Sequence, residues 1–151
     1  MQQISRRAAL ALGAAGATLS VLGWGRDAAA TPEAAKADIT KFTGGKAATE
    51  GKISIELPEI AENGNTVPLS ISVDAPMTAD DHVTDVLVVA EGNPNPGVAT
   101  FHFTPLSGKA EASTRIRLAT TQNIVVTAKT SKGAFYTASK LVKVTIGGCG
   151  G

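Results

Sequence analysis

The amino-acid sequence predicts a mostly β domain, an immunoglobulin-like antiparallel β-sandwich preceded by one short helix. After Gly45 the spacing of apolar residues changes from about 3.6, which is typical of a helix, to about 2, which is typical of a half-buried strand. Seven short runs of β character follow, and turn-forming residues rather than long helices separate them. Connections of this kind favour antiparallel pairing, and the number of strands suits an immunoglobulin-like arrangement.

The short helix is predicted over residues 32–43. Thr31, Pro32 and Glu33 supply a hydroxyl cap, a proline suited to the first turn and an early acidic side chain. The apolar residues that share one face of this segment are Ala34, Ala35, Ile39 and Phe42. Gly44-Gly45 then ends the helical pattern.

Alternating apolar and polar side chains indicate the strands. The seven predicted strands cover residues 52–57, 67–73, 83–90, 98–103, 112–118, 124–130 and 135–146. Asn63-Gly64-Asn65 and the run from Asn93 to Gly97 are turn signals between them. Residues 83–90 are apolar almost without interruption, which predicts a strand that is covered on both faces.

The first thirty residues have the composition of an export signal. Arg6-Arg7 precedes an apolar run from Ala8 to Trp24 that contains no acidic residue, and Ala28-Ala29-Ala30 resembles a cleavage site. The paired arginines indicate the twin-arginine route, so we expect a periplasmic protein whose mature form has no membrane segment. The predicted organisation is a signal peptide at 1–30, the β domain with its helix at 31–146 and a glycine-rich arm at 147–151.

Composition excludes several classes of function. The chain has 151 residues, which is one domain of ordinary size, and a net charge of +1, which gives no basic surface for nucleic acid. A single cysteine rules out an internal disulfide and a cysteine-rich zinc site. No phosphate-binding or dinucleotide-binding glycine motif occurs, so no cofactor and no metal is predicted.

The least ordinary feature of the sequence is the segment Gly147-Gly148-Cys149-Gly150-Gly151, which we call the GGCGG arm. Four glycines accept almost any backbone conformation, so we expect this arm to be flexible and to pack against nothing. Cysteine is usually a buried residue, yet Cys149 lies beyond the last predicted strand. Because the flanking glycines have no side chains, the thiol could enter a narrow channel in another protein. The arrangement predicts Cys149 as a covalent attachment point.

Nothing in the arm would activate the Cys149 thiol. An ordinary thiol has a pKa of about 8.5 and is a few per cent thiolate near neutral pH. This favours a non-enzymatic carrier whose activating groups belong to partner proteins. Two alternatives stay open: a structural or adhesive module that uses Cys149 for an intermolecular disulfide, and a redox enzyme, which lacks a second thiol here.

The rival candidates for a site are two histidines and an acidic stretch. His82 follows polar turn residues, and His102 should point away from the face that carries Phe101 and Phe103, so both are expected to be structural or solvated. The acidic residues Asp80, Asp81 and Asp85 do not have the spacing of a calcium loop.

The chain resembles the SoxY family, the sulfur-carrier subunits of the periplasmic Sox system for thiosulfate oxidation. The resemblance rests on the arm behind a twin-arginine signal and a small β domain. It extends to the segments Pro76–Val83, Glu91–Pro94, Ala99–Phe103 and Ser113–Leu118. It implies an immunoglobulin-like fold and a Cys149 that holds sulfur intermediates, with Gly147, Gly148, Gly150 and Gly151 as its tether.

The same resemblance implies partners. SoxZ, another small β protein, would form a heterodimer with the chain. The haem-containing SoxXA would couple thiosulfate oxidatively to the cysteine, the hydrolase SoxB would release sulfate, and a sulfane dehydrogenase would oxidise the remaining sulfur.

Overall fold

The computed structural model describes residues 32–148. They contain one α-helix, α1 (Pro32–Thr43), and a short 3-10 helix (Pro105–Ser107). The nine strands are β1 (Thr49–Glu50), β2 (Ile53–Glu56), β3 (Ile60–Asn63), β4 (Val67–Val73), β5 (Val83–Ala90), β6 (Gly97–His102), β7 (Ala110–Ile116), β8 (Gln122–Thr130) and β9 (Phe135–Ile146). The mostly β fold with one short helix is confirmed, and α1 has the predicted bounds.

The strands form two sheets around one core. The larger sheet has the order β1-β9-β8-β5-β6 with β3 also on β9, and the smaller sheet has the order β2-β4-β7. The alternation of apolar residues places side chains such as Leu69 and Ile71 of β4 opposite Val86, Val88 and Val126 of the larger sheet. These inward residues are at most 3% exposed, so the core is closed to water.

The strand β5 is covered on both faces, as its continuous apolar sequence predicts. Val86, Val88 and Ala90 face the main core. On the other face, Leu87 and Val89 pack against Ala35 of α1 in a second, smaller cluster. The helix therefore shields the face of the sheet that would otherwise expose a hydrophobic stripe.

Two short strands, β1 and β3, depart from the antiparallel pattern. Both pair in parallel with β9, β1 with Tyr136 and Thr137 and β3 with the stretch from Lys143 to Ile146. The prediction did not include them because β1 has only two residues and the β3 sequence Ile60-Ala61-Glu62-Asn63 does not alternate between apolar and polar side chains. Through β3, the chain before the turn at Gly64 is brought beside the end of β9.

Candidate functional site: the root of the arm

The first two residues of the GGCGG arm, Gly147 and Gly148, lie against two loops of the domain. Gly148 is buried, and its N–H donates a hydrogen bond of 2.9 Å to the carbonyl of Leu118. The N–H of Gly64 donates to the carbonyl of Ile146 at 2.7 Å, and the N–H of Leu118 donates to the carbonyl of Gly64 at 2.8 Å. Three backbone hydrogen bonds thus join the end of β9, the β3–β4 turn and the segment after β7.

Glycine is required at these positions because the backbones approach closely. A Cβ on Gly64 would overlap the carbonyl oxygen of Leu118, and one on Gly147 would overlap that of Ala119. A Cβ on Gly148 would lie 2.8 Å from the carbonyl oxygen of Gly64. Backbone atoms cannot rotate away as a side chain can. The expectation that Gly147 and Gly148 pack against nothing is therefore wrong for these two residues.

A buried amide side chain holds the loop that receives Gly148. Asn93 is 2% exposed, and its Nδ2 donates to the carbonyl of Arg117 at 2.8 Å. Its Oδ1 accepts from the N–H of Ala119 at 2.9 Å and from Nε2 of Gln122 at 2.8 Å. The chain is therefore fixed on both sides of Leu118, whose carbonyl binds the arm.

The sequence patterns did not reveal these supporting residues. The sequence around Gly64 and around Asn93 predicts a turn and nothing more. Gln122 begins β8 at a position whose alternation points inward, and it is 5% exposed. A polar residue at an inward position is the one local signal that could have pointed to the network, since buried amides need partners.

The remaining predicted site residues, Cys149, Gly150 and Gly151, lie outside the described residues. In the sequence Cys149 directly follows Gly148, whose N–H is bound by the carbonyl of Leu118. The candidate site is therefore the thiol that follows a backbone anchor at Leu118.

The histidine His102 behaves as the sequence predicts. Phe101 and Phe103 pack against the core, whereas the His102 side chain is 75% exposed and its Nδ1 lies 2.6 Å from Oδ1 of Asp85. Burial raises the pKa of Asp85, but side-chain hydrogen bonds from Thr84 and His102 and the nearby charges outweigh it, so the pKa lies below 3.8, its ordinary value.

The other rival residues are engaged locally. Nδ1 of His82 lies 3.2 Å from the carbonyl of Thr78, and Oδ2 of Asp81 pairs with Nζ of Lys132 at 3.1 Å. Within residues 32–148, no three His, Cys, Asp or Glu side chains are grouped closely enough to hold a metal ion. In the same part of the chain, no helix has the length and apolar character needed to cross a membrane.

The family model described as sulfur oxidation protein SoxY matches residues 39–149 of the chain. The chain belongs to the SoxY family. The match spans most of the β domain, runs through the anchored glycines and includes Cys149. The resemblance noted in the sequence is thereby confirmed and ties the chain to sulfur oxidation.

Solved structures show the same fold. The sulfur carrier protein SoxY from Chlorobium limicola f thiosulfatophilum is 34% identical, with a TM-score of 0.65, and the alignment covers 77% of this chain and 100% of that one. A superoxide reductase (neelaredoxin) from Ignicoccus hospitalis is 20% identical, with a TM-score of 0.56 and coverages of 62% and 80%. This second likeness concerns the fold alone. No curated protein matches the chain.

Proposed function

We propose that the chain is a covalent sulfur carrier in thiosulfate oxidation, and that the thiol of Cys149 holds the sulfur intermediates. The observation that carries the proposal is that the SoxY family match extends to Cys149, the single cysteine of the chain. The similar protein from Chlorobium limicola is itself described as a sulfur carrier. The carrier is not an enzyme, because partner proteins perform the chemistry on the bound sulfur.

The chemistry of the thiol supports a carrier. A thiol must become a thiolate to attack sulfur, and at an ordinary pKa of about 8.5 only a few per cent is ionised near neutral pH. The chain has no second thiol that could resolve a bond to sulfur. An attachment made on Cys149 therefore cannot be resolved by a second cysteine of the same chain.

The hydrogen bond of Gly148 supports a tether that is shorter than the five-residue arm predicted from the sequence. Gly148 is tied to Leu118 by its N–H, so Gly148 belongs to the anchored domain rather than to the tether. Gly148 and Gly150 flank the thiol without side chains, which leaves it narrow enough to enter a channel in a partner. A fixed pivot with a short tether keeps the cargo at high local concentration near a docked enzyme.

The partners follow from the family. The chain forms a heterodimer with a SoxZ-like protein and docks transiently with SoxXA-like, SoxB-like and sulfane-dehydrogenase-like enzymes. The signal at residues 1–30 exports it to the periplasm by the twin-arginine route, which carries folded proteins. An oxidising compartment suits a protein whose reactive group is one thiol without an internal partner.

Intact mass spectrometry of the protein from thiosulfate-fed cells tests the proposal. Adducts with the mass of sulfur or thiosulfate, removable by a reductant, should occur on Cys149 and be absent from Cys149→Ser. An adhesive module would instead show only disulfide-linked dimers, and a redox enzyme would reduce peroxide without partners. Either of these results would overturn the carrier.

A displaced thiol provides the matched control. Thr145 is exposed on β9, so Thr145→Cys combined with Cys149→Ser places the same thiol on a rigid strand near the arm. This variant should react with small thiol reagents as the natural protein does, yet carry no sulfur adducts from cells. Equal loading of both proteins would show that the arm is not what the partner enzymes recognise.

A further inference from the structure

A cleft opens beside the root of the arm, between the edge strands of the two sheets. It has a volume of about 330 Å³ and joins the start of β6 to the end of β7. The lining residues are Asn93, Asn95, Gly97, Val98, Arg115, Ile116 and Arg117. Both strands are the last of their sheets, so the cleft lies on the open side of the sandwich.

Two arginines give this cleft its charge. Arg115 and Arg117 flank the buried Ile116, so strand alternation directs both side chains away from the core, with their Cα atoms about 7 Å apart. Neither guanidinium takes part in an ion pair among residues 32–148. No acidic residue is among the lining residues, although Oδ2 of Asp38 lies 3.5 Å from the Cβ position of one of them, Gly97, so the two arginines outnumber one nearby carboxylate. The cleft is therefore electropositive.

The anchor of the arm adjoins this cleft. Leu118, whose carbonyl accepts the N–H of Gly148, is the residue that follows Arg117. Asn93 lines the cleft and holds the carbonyl of Arg117 at 2.8 Å. Counted over covalent bonds and one hydrogen bond, the Cα of Gly148 lies within roughly 11 Å of the Cα of Arg117. An arginine side chain and an extended sulfur adduct on the next residue, Cys149, are together long enough to span a distance of this order.

We propose that this arginine cleft binds the terminal sulfonate of a thiosulfate adduct on Cys149. This inference rests on the proposed carrier function. Guanidinium groups donate paired hydrogen bonds to the oxygens of such anions, and Asn95 offers a further amide donor. An empty, neutral thiol has no group for the cleft to bind. The cleft therefore distinguishes a loaded arm, which it holds against the domain, from an empty one.

The adduct can be made on the purified protein without enzymes. The Cys149 thiolate attacks a central sulfur of tetrathionate, a new S–S bond forms, and thiosulfate leaves with the electron pair of the bond that breaks. The product is Cys149–S–S–SO3⁻. Methyl methanethiosulfonate gives Cys149–S–S–CH3 and releases methanesulfinate, which provides a neutral adduct of similar length. The single cysteine makes both reactions specific.

Nuclear magnetic resonance of the arginine Nε–H groups compares the two adducts. The resonances of Arg115 and Arg117, identified by Arg→Gln substitution, should shift in the sulfonate adduct and stay unchanged in the methyl adduct. One equivalent of free thiosulfate added to Cys149→Ser should leave them unchanged. Equal shifts in both adducts, no shift in either, or a shift with free thiosulfate would each overturn the proposal.

Reaction rates give an independent measurement. Arg115→Gln or Arg117→Gln should slow the reaction of Cys149 with the tetrathionate dianion by about 3- to 10-fold at low salt, and leave the reaction with neutral methyl methanethiosulfonate unchanged. Lys109→Gln removes the same charge just before the opposite end of β7 and should change neither rate by more than about 2-fold. Arg→Lys should restore part of the rate, since it keeps the charge and loses the paired donors.

The outcome is separable from that of the carrier proposal. If cells load Cys149 but the arginine variants behave like Lys109→Gln, the carrier stands and the cleft is refuted. If the arginines respond to the adduct made in vitro but cells never load Cys149, the cleft binds a sulfonate that the protein does not carry in the cell, and the carrier fails.

Discussion

At the scale of single residues, the absence of a side chain at Gly64 decides whether the arm can be anchored. The added Cβ of Gly64→Ala would overlap the carbonyl oxygen of Leu118 and lie 2.7 Å from the backbone nitrogen of Gly148. Because both are backbone atoms, the β3–β4 turn must shift, and we expect a loss of about 1–3 kcal/mol in the free energy of unfolding. Urea denaturation of the variant and the natural protein measures this loss.

Gly97→Ala is the matched control for that substitution. Gly97 has no positive φ, and the nearest atom to an added Cβ is a carboxylate oxygen of Asp38 at 3.5 Å, an ordinary contact. Its stability should stay within about 0.5 kcal/mol of the natural protein. Equal stabilities for Gly64→Ala and Gly97→Ala would mean that the turn does not press against Leu118.

The pair of Asp85 and His102 predicts a small dependence of stability on pH. The pKa of Asp85 is lower in the folded protein than its ordinary value of 3.8, so the carboxylate stabilises the fold above that pH and ceases to as pH falls through the lowered pKa. Because His102 is three-quarters exposed, solvent screens the pair and the contribution stays below about 1 kcal/mol.

Urea denaturation of Asp85→Asn across a pH series checks this. The natural protein should be more stable than the variant near pH 5, and the difference should shrink below pH about 4. Asp80→Asn, at an exposed position, should show no such difference. A stability difference that grows as the pH falls would contradict the lowered pKa of Asp85.

At the scale of elements, the loop between β7 and β8 depends on one buried amide. Asn93→Ala would leave the carbonyl of Arg117 and the N–H of Ala119 without their partner, whereas Nε2 of Gln122 keeps its hydrogen bond to the carbonyl of Thr120. Each unsatisfied buried group costs about 1–3 kcal/mol, and partial solvation of the opened site reduces the sum. We therefore expect a loss of about 2–4 kcal/mol, measured by chemical denaturation.

The exposed Asn123 provides the comparison for the buried amide. Its Nδ2 donates only to Oε2 of Glu91 at 3.1 Å, on the surface. Asn123→Ala removes the same atoms and should change stability by less than about 0.5 kcal/mol. Similar losses in both variants would show that the Asn93 network carries no special stabilisation.

At the scale of the whole molecule, sequence patterns predict the elements whose formation depends on residues close together in the chain. Periodicity gave α1 and the longer strands, and the unbroken apolar run of β5 correctly indicated cover on both faces. The parallel strand β3 and the anchoring of Gly148 depend on contacts between segments distant in the chain. Turn signals predict the local turns at Gly64 and Asn93. The part these two residues play in anchoring Gly148 arises only in the folded protein, where the end of β9, the β3–β4 turn and the segment after β7 meet.

The meeting of these loops anchors the chain as far as Gly148, the residue that precedes Cys149. Truncation after Gly148 keeps the hydrogen bond to Leu118, so the melting temperature should change by no more than about 2 °C. Truncation after Ile146 removes that bond and uncovers the turn, and should lower the melting temperature further. Both should abolish loading with sulfur, because neither retains Cys149. Calorimetry that finds a large loss on removing only residues 149–151 would mean that the thiol is packed into the domain, and a packed thiol could not visit partner enzymes.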